Sequence, residues 1–228
     1  MSASLSLSGH RVMQIGCDPK ADSTINLTNG EAVPSVLEAL RVYGSGLQAE
    51  HFLRKGSCGC WCVESGGPKP GSGCAGRGII TAFETLQRLS VYEMVEPDIV
   101  FYDVLGDVVC GGFSMPIRQG YADEVVIVSS GEKMSLFAAK NIAEAVRSFG
   151  SEGSAALRGI IANQKGFTGE QEAIAGLSRE LDIPVLAWIP RDPSVQEAEN
   201  LCTTVTELYP QSGIASIYSE LALRLLGE

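Results

Sequence analysis

DIVFYDVLGDVVCGGF, residues 98–113, reads as a buried strand that ends on an acid, turns through a glycine and arrives at a cysteine. Its apolar run Ile99–Tyr102 has no alternation of polar and apolar positions, which is the composition of a strand covered on both faces. Four more runs have the same form: RVMQIG (11–16), EVVIVSS (124–130), LRGIIAN (157–163) and PVLAWIP (184–190). Apolar positions recur at helical spacing over 77–89, 132–149, 170–181 and 214–226. Alternating strands and helices predict an α/β fold, a mostly parallel sheet flanked by helices, with its site at the carboxyl ends of the strands. GCDPK, DVLGD, SSGEK, ANQKG and PRD all fall there, each directly after a strand. No internal repeat, linker or low-complexity tract divides the chain, so a single domain over 1–228 is expected.

The charge balance narrows the function classes. Acidic residues outnumber basic ones, 27 to 17, for a net charge of −10, which argues against sequence-independent binding to nucleic acid or to an anionic membrane. No apolar run is long enough to cross a bilayer, and MSASLSLSGHRVM lacks a basic segment followed by a sustained apolar core. The expected setting is cytoplasmic, with proteins or small molecules as partners. In such a setting seven cysteines read as reduced thiols and metal ligands rather than a disulfide frame.

Cys74, in GPKPGSGCAGRG, and Cys110 each stand alone in a glycine-rich loop. Glycines there remove the Cβ atoms that keep a backbone away from a ligand, and they leave N–H groups free to meet an anion. An iron–sulfur cluster is such an anion. A 4Fe–4S cluster needs four thiolates, so one chain offering two supplies half a site, and a twofold homodimer would complete it.

Two stretches carry acids at strand tips. Asp103 and Asp107 suit a magnesium–nucleotide site, the alternative being that Asp103 simply caps a turn. In GCDPKADST (16–24), Lys20 suits phosphate and Asp22 suits magnesium or its water, against the alternative of a solvated turn with helix-capping residues. CGCWC at 58–62 adds Cys58, Cys60 and Cys62. With Cys74 these could ligate a cluster or zinc within one chain, or they form a reduced, partly buried loop. Cys17 reads as a small packed residue, and Cys202 as part of a late helical stretch.

GCDPKADST, CVESGGPKPGSGCAGRGIITAFETL (62–86), FYDVLGDVVCGGFSMPIRQGYADEVVIVSSGE (101–132) and PRD (190–192) closely resemble the nitrogenase iron protein family, including its relatives that serve tetrapyrrole reductases. The resemblance covers nearly the whole chain. It implies a P-loop NTPase-like fold of the deviant Walker A class and an ATP-driven homodimeric electron donor with one shared 4Fe–4S cluster and MgATP. The implied partners are a larger catalytic nitrogenase-like protein and a ferredoxin or flavodoxin as electron source. By the same resemblance Cys74 and Cys110 are the cluster ligands. Asp18, Lys20 and Asp22 belong to a first nucleotide switch and Asp103 to Asp107 form a second. Arg77 matches an arginine at the docking face that is ADP-ribosylated in some bacteria, and Asn163 with Pro190, Arg191 and Asp192 match positions around the nucleotide base.

One departure stands out. No G-x-x-x-x-G-K-[ST] string is present, and residues 2–9 look like the tail of the helix that follows such a loop, with Gly9 just past its end. The first strand and the P-loop are therefore expected to be missing. That strand belongs inside the sheet, so its neighbours should be left open to water, and this polypeptide is expected to bind ATP poorly. Two other readings stay open from the sequence: a non-redox ATPase switch that dimerises on ATP, and an inactive truncated fragment.

Overall fold

The computed structural model describes residues 1–67, 75–106, 115–118, 120–149 and 155–227, in two compact units, Met1–Leu105 with Pro193–Glu228, and Gly106–Asp192. In chain order the elements are α1 (Ser2–Leu7), β1 (Val12–Gly16), α2 (Val36–Tyr43), β2 (Arg54–Lys55), β3 (Trp61–Glu64), α3 (Ala75–Arg88), α4 (Val91–Val95), β4 (Ile99–Asp103), α5 (Met115–Arg118), β5 (Glu124–Ser129), α6 (Lys133–Phe149), β6 (Ala156–Asn163), α7 (Glu170–Leu181), β7 (Val185–Ile189), α8 (Pro193–Asn200), α9 (Val205–Leu208) and α10 (Gly213–Leu226).

The first unit holds a four-stranded sheet in the order β2-β3-β1-β4. β1 runs parallel to both β3 and β4, and only the two-residue β2 is antiparallel. As an inner strand, β1 buries Val12, Met13 and Ile15 completely. Helix α3 covers the sheet with Ile79, Ala82, Phe83 and Leu86, the i, i+3, i+4, i+7 stripe that its sequence spacing predicts, all 0% exposed. Phe83 stacks on Tyr102 of β4 with ring centroids 5.4 Å apart. Below, α1 and α10 pack Ala3, Leu5 and Ala222 with Val12, Cys60 and Cys62. α1 ends in a Schellman turn: Gly9, at φ +95°, donates to the Ser6 carbonyl and His10 to that of Leu5, placing Gly9 where the sequence expects it.

The second unit holds the parallel sheet β5-β6-β7. Its core joins Ile127, Ile160 and Ala162 from the strands to Ala139 and Ala143 of α6 and Ile174, Leu177 and Leu181 of α7.

Both units expose an edge strand with the composition of a covered one. Ile99–Tyr102 of β4 are each only half-buried, and in β5 Val128 is 59% exposed. The sequence places Cys202 in a helical stretch. Instead it lies in the turn after α8 at φ +52°, its N–H bonded to the Glu199 carbonyl and that of Thr203 to Ala198, so it stands where a helix-ending glycine usually stands. β2, β3 and α2 are not predicted from periodicity, and the structure adds them.

Candidate functional site

The register of β1 with its neighbours sets the first unit's site. Gly16, the last residue of β1, is level with Glu64 on β3 and with Asp103 on β4, so three adjacent strands end together. A Cβ on Gly16 would overlap the Glu64 carboxylate and come within 2.7 Å of the Ser23 Cβ, so only glycine allows this closeness.

GCDPKADST turns over these strand ends. Asp18 Oδ1 accepts from the Lys20 N–H at 2.8 Å, and Ala21 takes φ +56°, which makes a tight turn and leaves Lys20 and Asp22 exposed. The chain is then tied down twice. Ser23 Oγ donates to Asp103 Oδ2 at 2.5 Å, and Gln14 Nε2 donates to the Ser23 carbonyl and hydroxyl at 3.0 and 2.9 Å. Thr24 gives both its N–H (2.7 Å) and its hydroxyl (2.6 Å) to Glu64 Oε1. The structure thus brings Asp18, Lys20, Asp22 and Asp103 to one group of strand ends. Asp107 lies outside the described residues.

Glu64 has no place among the sequence-derived site residues. Its side chain is fully buried, and Oε2 has no hydrogen-bond partner among the described residues. Burial raises its pKa, the bonds from Thr24 oppose the rise, and the charges of Asp22 and Asp103 add to it. The signal for it was an acid ending the apolar run WCVE. Beside it, burial pushes the Cys17 thiol up to about 12, helped by the charge of Asp103, so Cys17 is a packed, unreactive thiol.

Oxygen donors at a strand tip with a nearby lysine are a donor set suited to Mg²⁺ and phosphate, and an orphaned buried carboxylate oxygen at the same tip fits a site that gathers positive charge. The cluster residues named from the sequence, Cys74 and Cys110, lie outside the described residues. Cys60 and Cys62 are fully buried and Cys58 half-buried. The contact between the Cys60 and Cys62 thiols lowers the pKa of Cys60 and raises that of Cys62. Among the described residues no group of three or more His, Cys, Asp or Glu side chains is arranged to hold a metal, so neither Cys58, Cys60 and Cys62 nor the strand-tip acids form one by themselves. Arg77 is exposed in the first turn of α3.

In the second unit, Asn163 ends β6 level with Ile189 of β7, and the Gln164 N–H donates to the Ile189 carbonyl at 2.8 Å. Exposed Asn163 therefore lies level with the residue before Pro190–Asp192, so the four residues named from the sequence fall at or just after two neighbouring strand ends. No helix among the described residues is long and apolar enough to cross a membrane.

The fold is shared with MinD/ParA-type P-loop NTPases. The cell division protein MinD of Aquifex aeolicus matches with a TM-score of 0.71 at 17% identity, over 100% of this chain and 88% of its own. The Mg-ADP complex of the septum site-determining protein MinD from Pyrococcus horikoshii OT3 matches at 0.72 and 16%, over 98% and 86%. Cobyrinic acid a,c-diamide synthase from Mycobacterium smegmatis, with a bound ATP analogue and magnesium, matches at 0.66 and 17%, over 99% and 85%. At these identities the likeness is one of fold. The family model for 4Fe-4S iron–sulfur cluster binding proteins of the NifH/frxC type spans residues 1–228, and the chain belongs to that family.

Proposed function

We propose that this chain is the ATP-dependent electron-transfer component of a nitrogenase-like system. Two copies hold one 4Fe–4S cluster between them and pass electrons to a larger catalytic protein as MgATP is hydrolysed. The observation that carries the reading is the hydrogen bond between Ser23 and Asp103, which ties the segment Asp18–Thr24 to the strand that leads toward Cys110. In this reading a change at the phosphate end is passed through Asp103 along the chain toward Cys110. The family match over the whole chain supports the cluster, and the nucleotides and magnesium carried by the Pyrococcus and Mycobacterium proteins support MgATP.

In this reading Lys20 meets phosphate, Asp22, Asp103 and Asp107 hold magnesium or order its waters, and Asp18 shapes the turn that presents them. Asn163 and Pro190–Asp192 flank the base. Cys74 and Cys110 of each copy ligate the cluster, which supplies one transferable electron when bound. Arg77, exposed at the start of α3, lies on the face that meets the catalytic partner. A ferredoxin or flavodoxin re-reduces the dimer in the cytoplasm, and the terminal substrate, whether dinitrogen or a tetrapyrrole, is handled by the partner.

The test is anaerobic purification with iron and sulfide analysis and electron paramagnetic resonance after reduction. A brown protein with about four irons per dimer is expected, and Cys74→Ala or Cys110→Ala should abolish the signal. A protein that stays colourless after iron–sulfide reconstitution would instead be a non-redox ATPase switch. Nucleotide-dependent electron transfer by this polypeptide is the second measurement, since the phosphate-loop string is absent from the sequence.

A further inference from the structure

Glu170 is the first residue of α7, follows Gly169 at φ +84°, and is only 2% exposed. Its carboxylate turns back and gathers the backbone of two loops. The Lys165 N–H donates to both oxygens, at 2.8 Å to Oε1 and 2.9 Å to Oε2, and the Gly166 N–H donates to Oε2 at 2.8 Å. From the loop after β5, the Gly131 N–H donates to Oε1 at 3.3 Å. The fit is tight, since a Cβ on Gly131 would lie 2.6 Å from the Glu170 Cγ. Placement in the first turn of α7 adds the favourable field of the helix N-terminus.

These contacts bear on Asn163. The β6–β7 ladder fixes it on one side, and on the other Gln164 is tied to Ile189 and Lys165 to Glu170. The backbone from which the Asn163 carboxamide leaves β6, and so the direction of its exit, is therefore held in part by a carboxylate seven positions away in the chain. That direction matters because a carboxamide offers one donor and one acceptor. It pairs with the amino group and a ring nitrogen of adenine, and its oxygen faces a second acceptor when guanine takes the same place. Buried polar groups matched in this way discriminate far more strongly than apolar contact does.

We propose that Glu170 is a positioning residue for purine recognition: by clamping the loops after β5 and β6 it aims Asn163 and so sets the preference for adenine over guanine nucleotides. The inference rests on the base-site reading above. It is tested on this polypeptide with Glu170→Gln and Glu170→Ala, using fluorescently labelled ADP and GDP as probes and hydrogen exchange at Gly131, Lys165 and Gly166. Glu170→Ala should weaken ADP binding about tenfold or more with little change for GDP, so the preference collapses, while the three amides exchange faster. Glu170→Gln keeps the shape and one acceptor, so it should fall between, and it carries the test if the alanine variant does not fold. Faster exchange with an unchanged ADP-to-GDP ratio would overturn the proposal and leave Glu170 as a brace only. A wild-type protein that binds the two nucleotides equally would overturn the base-site reading itself, and the proposal with it, even if the exchange data show the clamp.

Discussion

At the strand ends of the first unit, Glu64 is fully buried with Thr24 donating to one oxygen and nothing donating to the other among the described residues. At the strand ends of the second, Glu170 is equally buried and accepts from the backbone of two loops. Burial pushes both carboxyls up. In Glu64 it prevails, and in Glu170 the N–H groups of Lys165, Gly166 and Gly131 outweigh it and hold the pKa below the ordinary value. Burial therefore does not decide the charge of an acid, and the donors gathered around it do. Each acid also lies against a glycine that could not carry a side chain, Gly16 beside Glu64 and Gly131 beside Glu170. The two places share an architecture and differ in wiring: Glu170 is a lock made of backbone, whereas Glu64 is held by a threonine on the segment that carries Asp18, Lys20 and Asp22.

The sharpest way to break the comparison is at the glycines. Gly16→Ala would meet both the Glu64 carboxylate and the Ser23 Cβ, and is expected to destabilise by about 3 kcal/mol in denaturant titration. Gly131→Ala would meet the clamped stem of Glu170 at 2.6 Å and its backbone at 3.0 Å, and should cost about 2 kcal/mol. Equal losses would show that the two pockets are equally rigid.

The next test reads charge through pH. Glu64, with its raised folded pKa, contributes stability that is present below the unfolded carboxyl value and lost as pH rises through the folded one. Glu170, with its depressed folded pKa, contributes stability that is present above the unfolded value and lost as pH falls through the folded one. Glu64→Gln should accordingly raise the melting temperature at pH 8 by about 2–4 °C, with the gain fading in acid. Glu170→Gln should lower it at pH 8, with the loss shrinking in acid. Melting curves that shift in the same direction for both variants would contradict opposite wiring. The smallest effect is expected from Ser23→Ala, which removes the hydroxyl bonded to Asp103 and Gln14 and should cost about 1 kcal/mol by thermal or denaturant melting.

The five strands read from apolar runs all form, because a run of β-branched and aromatic residues bounded by glycine, proline or charge is a local signal. β3 escaped because WCVE follows CGC and reads as a cysteine motif before it reads as a strand, and β2 is two residues long. The segment around α2 carries a Ser35 cap and an apolar face too short for periodicity to stand out. At the strand ends of the first unit, Asp18, Lys20, Asp22 and Asp103 were legible as polar residues directly after strands, and at those of the second so were Asn163 and Pro190–Asp192. Glu64 and Glu170 were not. An acid closing a strand or opening a helix is common on a surface, and nothing in its neighbours announces that it will be buried.

The sequence by itself determined five of the strands, the main helices between them, the mostly parallel sense and the loops that carry polar residues, since these follow from local periodicity and from the side chemistry of alternating elements. Only the tertiary structure decided which carboxylate meets which donor. Glu64 meets Thr24 from 40 residues away and Glu170 meets Gly131 from 39, and those distances close only when strand ends come level and a glycine clears the space. One acid thereby keeps an oxygen with no partner among the described residues beside the segment Asp18–Thr24 and the other becomes a fixed anion, because a carboxylate takes its charge from the donors that the fold places around it.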